Sequence, residues 1–133
     1  MSQHERADVN AWWQLAQSDL RIARVVAALE PAEWHMVCFL AQQAGEKALK
    51  ALLELHRLAV PRSHDLVLLL DVARDIASTD AVVDEAILLS AYGVLPRYPS
   101  PNFAATAEDA ADALVAAERV VAWAATGLGF EVT

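Results

Sequence analysis

Apolar residues recur through most of this chain at three- and four-residue spacing. That spacing marks helices that bury one stripe. From Glu5 to Leu29 the stripe is Val9, Trp12, Trp13, Ala16, Leu20, Ala23 and Val26. Glu30-Pro31 interrupts it, and Pro31 suits the first turn of a following helix, where a missing N–H is no loss. The second stripe runs through Ala32–Leu58 as Trp34, Val37, Cys38, Ala41, Ala44, Ala48, Leu52 and Leu55. A turn this short forces the first two helices into an antiparallel hairpin.

Shorter segments follow. Leu66–Ala77 places Leu66, Leu69, Leu70, Ala73 and Ile76 on one side, with Ser63 or Asp65 as its cap. Ser78-Thr79-Asp80 is a cap cluster for a helix over Ala81–Tyr92. The stretch Gly93–Ala105 holds Pro96, Pro99 and Pro101 and is the least helical. Thr106 with Asp109 resembles a capping box for a last helix to about Thr126, which Gly127 and Gly129 end. The pattern predicts an all-α, up-and-down four-helix bundle with an additional short helix, one domain over residues 1–133.

Composition supports the same picture. The chain has 28 Ala and 18 Leu against 4 Gly and 5 Pro. That suits helices packed closely on helices. The longest uncharged stretches, such as His35–Gly45, are far short of the roughly 20 residues a membrane span needs. Glu5, Arg6 and Asp8 argue against a targeting peptide, so a cytoplasmic location is expected. A single cysteine, Cys38, excludes an internal disulfide and a cysteine zinc site. No histidine has a companion at metal-ligand spacing, so neither metal nor cofactor is expected.

The net charge is −8 and unevenly spread. Residues 1–63 carry seven acidic and seven basic side chains, and residues 64–133 carry eleven and three. Non-specific nucleic-acid binding runs on phosphate neutralisation, and this balance opposes it. A local cationic pocket, or a partner that brings charge, is still compatible.

Several polar residues allow two readings. Gln42, Gln43, Glu46, Lys47 and Lys50 make a solvated face with i,i+4 support, or Gln43 and Lys47 line a groove beside Ala44 and Ala48. His64-Asp65 caps a helix, or His64 faces a nucleotide pocket. Arg97 neutralises nearby acids, or binds a phosphate while Tyr98 stacks a base. Trp12 and Trp13 cannot both point fully inward, so one faces a partner subunit or the last helix.

A set of these residues in this order resembles the HEPN domain family. The set is Trp12-Trp13-x-x-Ala16-x-x-Asp19-Leu20, then Gln42-Gln43-Ala44-x-Glu46-Lys47-Ala48-Leu49-Lys50-Ala51-Leu52-Leu53, then Pro61-x-x-His64-Asp65-Leu66, with Tyr92 and Arg97-Tyr98-Pro99 later. The resemblance spans roughly residues 10–125. It implies a helical bundle related to the substrate-binding domain of nucleotidyltransferases. It also implies a homodimer, nucleotide or RNA association, and a minimal nucleotidyltransferase partner in a toxin–antitoxin type pair.

Some HEPN branches are metal-independent ribonucleases with an Arg and, after a gap of four to six residues, a His; a related branch has a Tyr at about that distance. Here the Arg is Arg97, and Asn102, Phe103 and Ala104 fall where the His or Tyr would stand. None of them can move a proton at useful pKa. The expected reading is a binding module that lacks the catalytic His, with Arg97, Tyr98, His64, Lys47 and Gln43 as its binding residues. The alternatives are a ribonuclease toxin using Arg97 with Tyr98 or His64, or a purely structural helical dimer. Arg57 and His64 share the nominal Arg–gap–His spacing but sit in the second-to-third helix connection.

Overall fold

The computed structural model describes residues 2–93 and 104–130. These form five helices and no strand: α1 (Gln3–Val26), α2 (Trp34–Leu55), α3 (Leu66–Ala73), α4 (Val83–Ser90), led by a 3-10 turn at Asp80–Val82, and α5 (Ala107–Leu128). At 1.5 Å per residue α1 and α2 are roughly 36 and 33 Å long.

Helix α2 is the hub and packs against α1, α3, α4 and α5. Ion pairs give the directions. Glu5 at the start of α1 meets Arg57 beyond the end of α2, and Asp19 meets Lys47, so α1 and α2 are antiparallel. A Cβ at Gly45 would touch Val120, and one at Gly127 would touch Leu52, so α5 runs parallel to α2. Glu85 pairs with Arg119, and Leu88 shares a groove with Asp112, so α4 runs against α5. Helices α1, α2, α4 and α5 therefore alternate in direction, with α3 as the additional piece.

The caps of α3 and α5 follow the sequence logic. Thr106 and Asp109 form the capping box, and Asp65 accepts from the Val67 N–H at 2.9 Å. The core is almost wholly apolar. Five of the seven α1 stripe residues are buried, together with Leu66, Leu69, Leu70 and Ala73 of α3.

Four expectations need correction. Pro31 does not open α2: it follows a cis bond in the connection, and α2 starts at Trp34 with Glu33 as its N-cap residue. Gly127 does not end α5. It stays helical, and its missing side chain makes room for a Leu52 methyl 2.8 Å from where a Cβ would stand. Gly129 closes the helix with φ of 74°, a left-handed conformation that a side chain strains. Third, α3 and α4 are shorter than their apolar patterns. Finally, the Ser78-Thr79-Asp80 cluster gives no side-chain cap, and α4 starts at Val83 behind the 3-10 turn. Of the two tryptophans, Trp13 is buried and turns to the end of the last helix, its ring centroid 5.5 Å from that of Phe130, while Trp12 is partly buried with the Lys50 ammonium over its ring at 5.2 Å.

The lone thiol, Cys38, is fully buried. Burial pushes its pKa from 9.0 up to about 11, with the nearby Asp109 carboxylate adding to the rise. Burial also raises the Tyr92 hydroxyl, and the neighbouring Cys38 adds to that rise. A thiol with a raised folded pKa contributes stability in full below pH 9.0. That contribution falls as the unfolded chain ionises first and is gone above about 11. Unfolding midpoints measured in urea should therefore decline between these pH values, and Cys38→Ala should flatten the decline. At pH 8 an aromatic disulfide reagent should label the native thiol far more slowly than the unfolded one.

Candidate functional site

One polar cluster is built into the apolar hub, and α2 carries most of it. Gln42, Glu46 and Lys50 lie one turn apart on the same side of the helix. That side also holds Cys38, Leu49 and Leu53, all fully buried. Gln42 is fully buried, Glu46 is 3% exposed and Lys50 8%. Burying a carboxylate is costly unless every lone pair finds a donor. Glu46 does find them: Lys50 Nζ reaches Oε2 at 3.2 Å, Gln42 Nε2 reaches Oε1 at 3.3 Å, and His64 Nδ1 reaches Oε1 at 2.7 Å.

His64 arrives from a distant part of the chain. The α2–α3 connection turns at Arg57, whose φ is 57°, and folds back along α2. Asp65 then caps α3, and Ser90 of α4 accepts from the Leu66 N–H at 3.0 Å. This pins the start of α3 between α2 and α4. The His64 carbonyl accepts from Gln42 Nε2 at 2.7 Å. Gly93, past α4, closes over the same spot. A Cβ there would stand 3.1 Å from the His64 Cβ, so a side chain at this position would press on His64.

A carboxylate only accepts, so Nδ1 of His64 carries the hydrogen of this dyad. The imidazole side chain is 60% exposed while the carboxylate side chain behind it is 3% exposed. The ring therefore turns Nδ1 inward and Nε2 towards solvent. Lys50 offsets the Glu46 charge, so the cluster has no net charge of its own.

The expected site residues divide. Gln43 joins the cluster by donating to Gln42 Oε1 at 2.6 Å. Lys47 does not; it turns to α1 and pairs with Asp19 at 2.6 Å. Its expected i,i+4 partnership with Gln43 is replaced by this cross-helix pair. Arg97 and Tyr98 lie outside the described residues. Arg57 and His64, despite their spacing, go to different partners, Glu5 and Glu46. Arg57 and Glu46 are eleven residues apart, roughly 16 Å at a helical rise.

Reading Gln42, Glu46 and Lys50 as a solvated face is overturned, because His64 of the α2–α3 connection, Gly93 past α4 and Trp12 of α1 cover it. The signal was present, since polar residues stood at positions in register with buried Cys38 and Leu49. Among the described residues no group of three or more His, Cys, Asp or Glu side chains could hold a metal. A groove of about 340 Å³ between α4 and α5, lined by Asp84, Glu85, Leu88, Asp112, Val115, Ala116 and Arg119, shares no residue with the cluster.

A family model for HEPN domains matches residues 9–128. The chain belongs to the HEPN domain family. Two solved structures agree with that placement. One is TT1696 from Thermus thermophilus, 28% identical, with a TM-score of 0.75 over 90% of this chain and 97% of its own. The other is ST0689, described as an archaeal HEPN homologue, 26% identical, with a TM-score of 0.71 over 89% and 95%. No curated protein matches. The matched HEPN region contains the whole Gln42–Glu46–His64–Lys50 cluster. Among the described residues no helix is long and apolar enough to cross a membrane.

Proposed function

We propose that this HEPN chain is a nucleotide- or RNA-associated binding module, homodimeric, that works with a minimal nucleotidyltransferase in a toxin–antitoxin type pair and lacks the usual catalytic His. The observation that carries the reading is the His64–Glu46 pair. A small all-helical core gains nothing from a buried, ionisable carboxylate that could have been leucine. Here that carboxylate orients one exposed imidazole. An oriented ring donor or acceptor is what a nucleotide's phosphate or base edge would meet.

The charge distribution supports a pocket over a non-specific groove, because residues 64–133 carry a net −8. Exposed Leu15, Ile22 and Val25 on α1 support a second copy. The ribonuclease alternative needs Arg97 as a catalytic group, and loss of RNA cleavage in Arg97→Ala would favour it.

Titration of AMP, ATP and a short single-stranded RNA into the labelled chain, followed by NMR, tests the binding reading. His64 and Gln43 signals should shift. His64→Ala should weaken binding about tenfold, or roughly 1.4 kcal/mol. Absence of any shift at millimolar nucleotide and RNA would overturn it. Co-expression with a neighbouring nucleotidyltransferase should give a stable complex, and light scattering should give twice 14.4 kDa for the chain alone.

A further inference from the structure

The geometry points to His64 Nε2 as a phosphoryl-acceptor site, one that takes its group from a P–N donor such as a phosphohistidine on a partner protein. The inference stands apart from nucleotide binding, since it needs only the dyad and an incoming phosphoryl group.

Three observations carry it. Glu46 Oε1 lies 2.7 Å from Nδ1, so the ring hydrogen faces the carboxylate and, in the neutral ring, the lone pair is on Nε2. The Glu46 side chain is 3% exposed and that of His64 60%, so the base is buried and the nucleophile is open. Lys50 neutralises the other Glu46 oxygen at 3.2 Å, so an incoming dianion meets no net negative charge in the cluster. The nearest acid in sequence, Asp65, turns its Oδ1 to the Val67 N–H and the Ser90 hydroxyl.

Among the described residues no hydroxyl or thiol is hydrogen-bonded to this imidazole, so the ring does not activate a nucleophile held by the chain itself. No described group supplies companion ligands for a metal. The open Nε2 is placed to act as the nucleophile directly.

In the step, Nε2 attacks phosphorus. The Nε2–P bond forms as the donor's P–N bond breaks. The leaving nitrogen departs with the electron pair and takes a proton from water. The ring becomes cationic, and Glu46 stabilises its Nδ1–H. One P–N bond replaces another, so no further energy source is required.

Phosphoramidate is the probe. The chain carries His4, His35 and His56 as internal controls. His4 and His35 face only half-exposed carboxylates, those of Asp8 and Glu33. Phosphorus NMR and peptide mapping at neutral pH should show His64 modified at least ten times faster than the other three, with the group on Nε2. The preference should vanish in urea. Glu46→Gln with Lys50→Met, which removes both charges together, should bring His64 down to the rate of the controls. His64→Gln should remove its signal alone.

Equal rates at all four histidines in the native chain, or modification at Nδ1, would overturn the proposal even if the double variant failed to fold. So would a folded double variant that reacts at the native rate. Nucleotide titrations read a different signal, so either idea can fail alone.

Discussion

Glu46→Ala is expected to cost about 3–5 kcal/mol of folding stability, close to what breaking a buried ion pair costs elsewhere. The alanine leaves Lys50, 8% exposed, without its counter-charge. It also strips an acceptor from Gln42 and from His64. Gln42 keeps the His64 carbonyl, so that bond does not recover the loss. Nor does the Trp12 face beneath the ammonium, at 5.2 Å, replace a carboxylate. Total stability of a domain this size is about 5–15 kcal/mol, so the variant should be partly unfolded at room temperature.

Urea midpoints with an unchanged slope would measure the cost. Glu46→Leu with Lys50→Met should regain most of it, because apolar residues of similar volume replace buried ions well. A cost under about 1 kcal/mol for the single variant would mean that water reaches the carboxylate.

Leu49→Ala should lose about 2–5 kcal/mol through the lost transfer energy and the cavity left behind. Leu49 is fully buried on α2, the helix that touches every other one. Gly45, four residues earlier, already brings Leu66 and Leu89 within 3.2 Å of where a Cβ would be. Packing that close cannot collapse far into a new void. Leu68→Ala is the control. Leu68 is 44% exposed on α3, and its truncation should change stability by about 0.5 kcal/mol or less. Similar losses for both would mean that the outer face of α3 is covered in solution.

The helices were legible because their stripes are long and their caps are chemical. Thr106 and Asp109 close α5 through bonds within four residues; the Ser2–Glu5 box that starts α1 at Gln3, ahead of the expected Glu5, went unread. Helix ends with weaker signals moved. Pro31 reads as a helix starter, yet the chain needs the whole segment before Trp34 to reverse direction. Gly127 reads as a stop, yet its missing side chain serves the packing of Leu52.

The candidate site was legible only in part. Gln42, Glu46 and Lys50 show i,i+4 spacing, which an exposed face and a buried network share equally. What separates them is whether His64 and Gly93, at the ends of α3 and α4, fold onto the helix. That depends on a connection doubling back at Arg57 and on Ser90 and Asp65 meeting at the start of α3. Lys47 illustrates the same limit. Its neighbour in sequence terms is Gln43, but its partner is Asp19, 28 residues away.

Periodicity by itself determined that this chain is an all-helical bundle with an antiparallel first hairpin, since burying a stripe every 3.6 residues has few other solutions. Motif order by itself pointed to the HEPN family. Only the tertiary structure decided that Glu46 is buried and that His64, eighteen residues on, is the side chain it holds. The physical reason is that desolvation of a carboxylate is a property of everything packed around it, which local spacing does not encode.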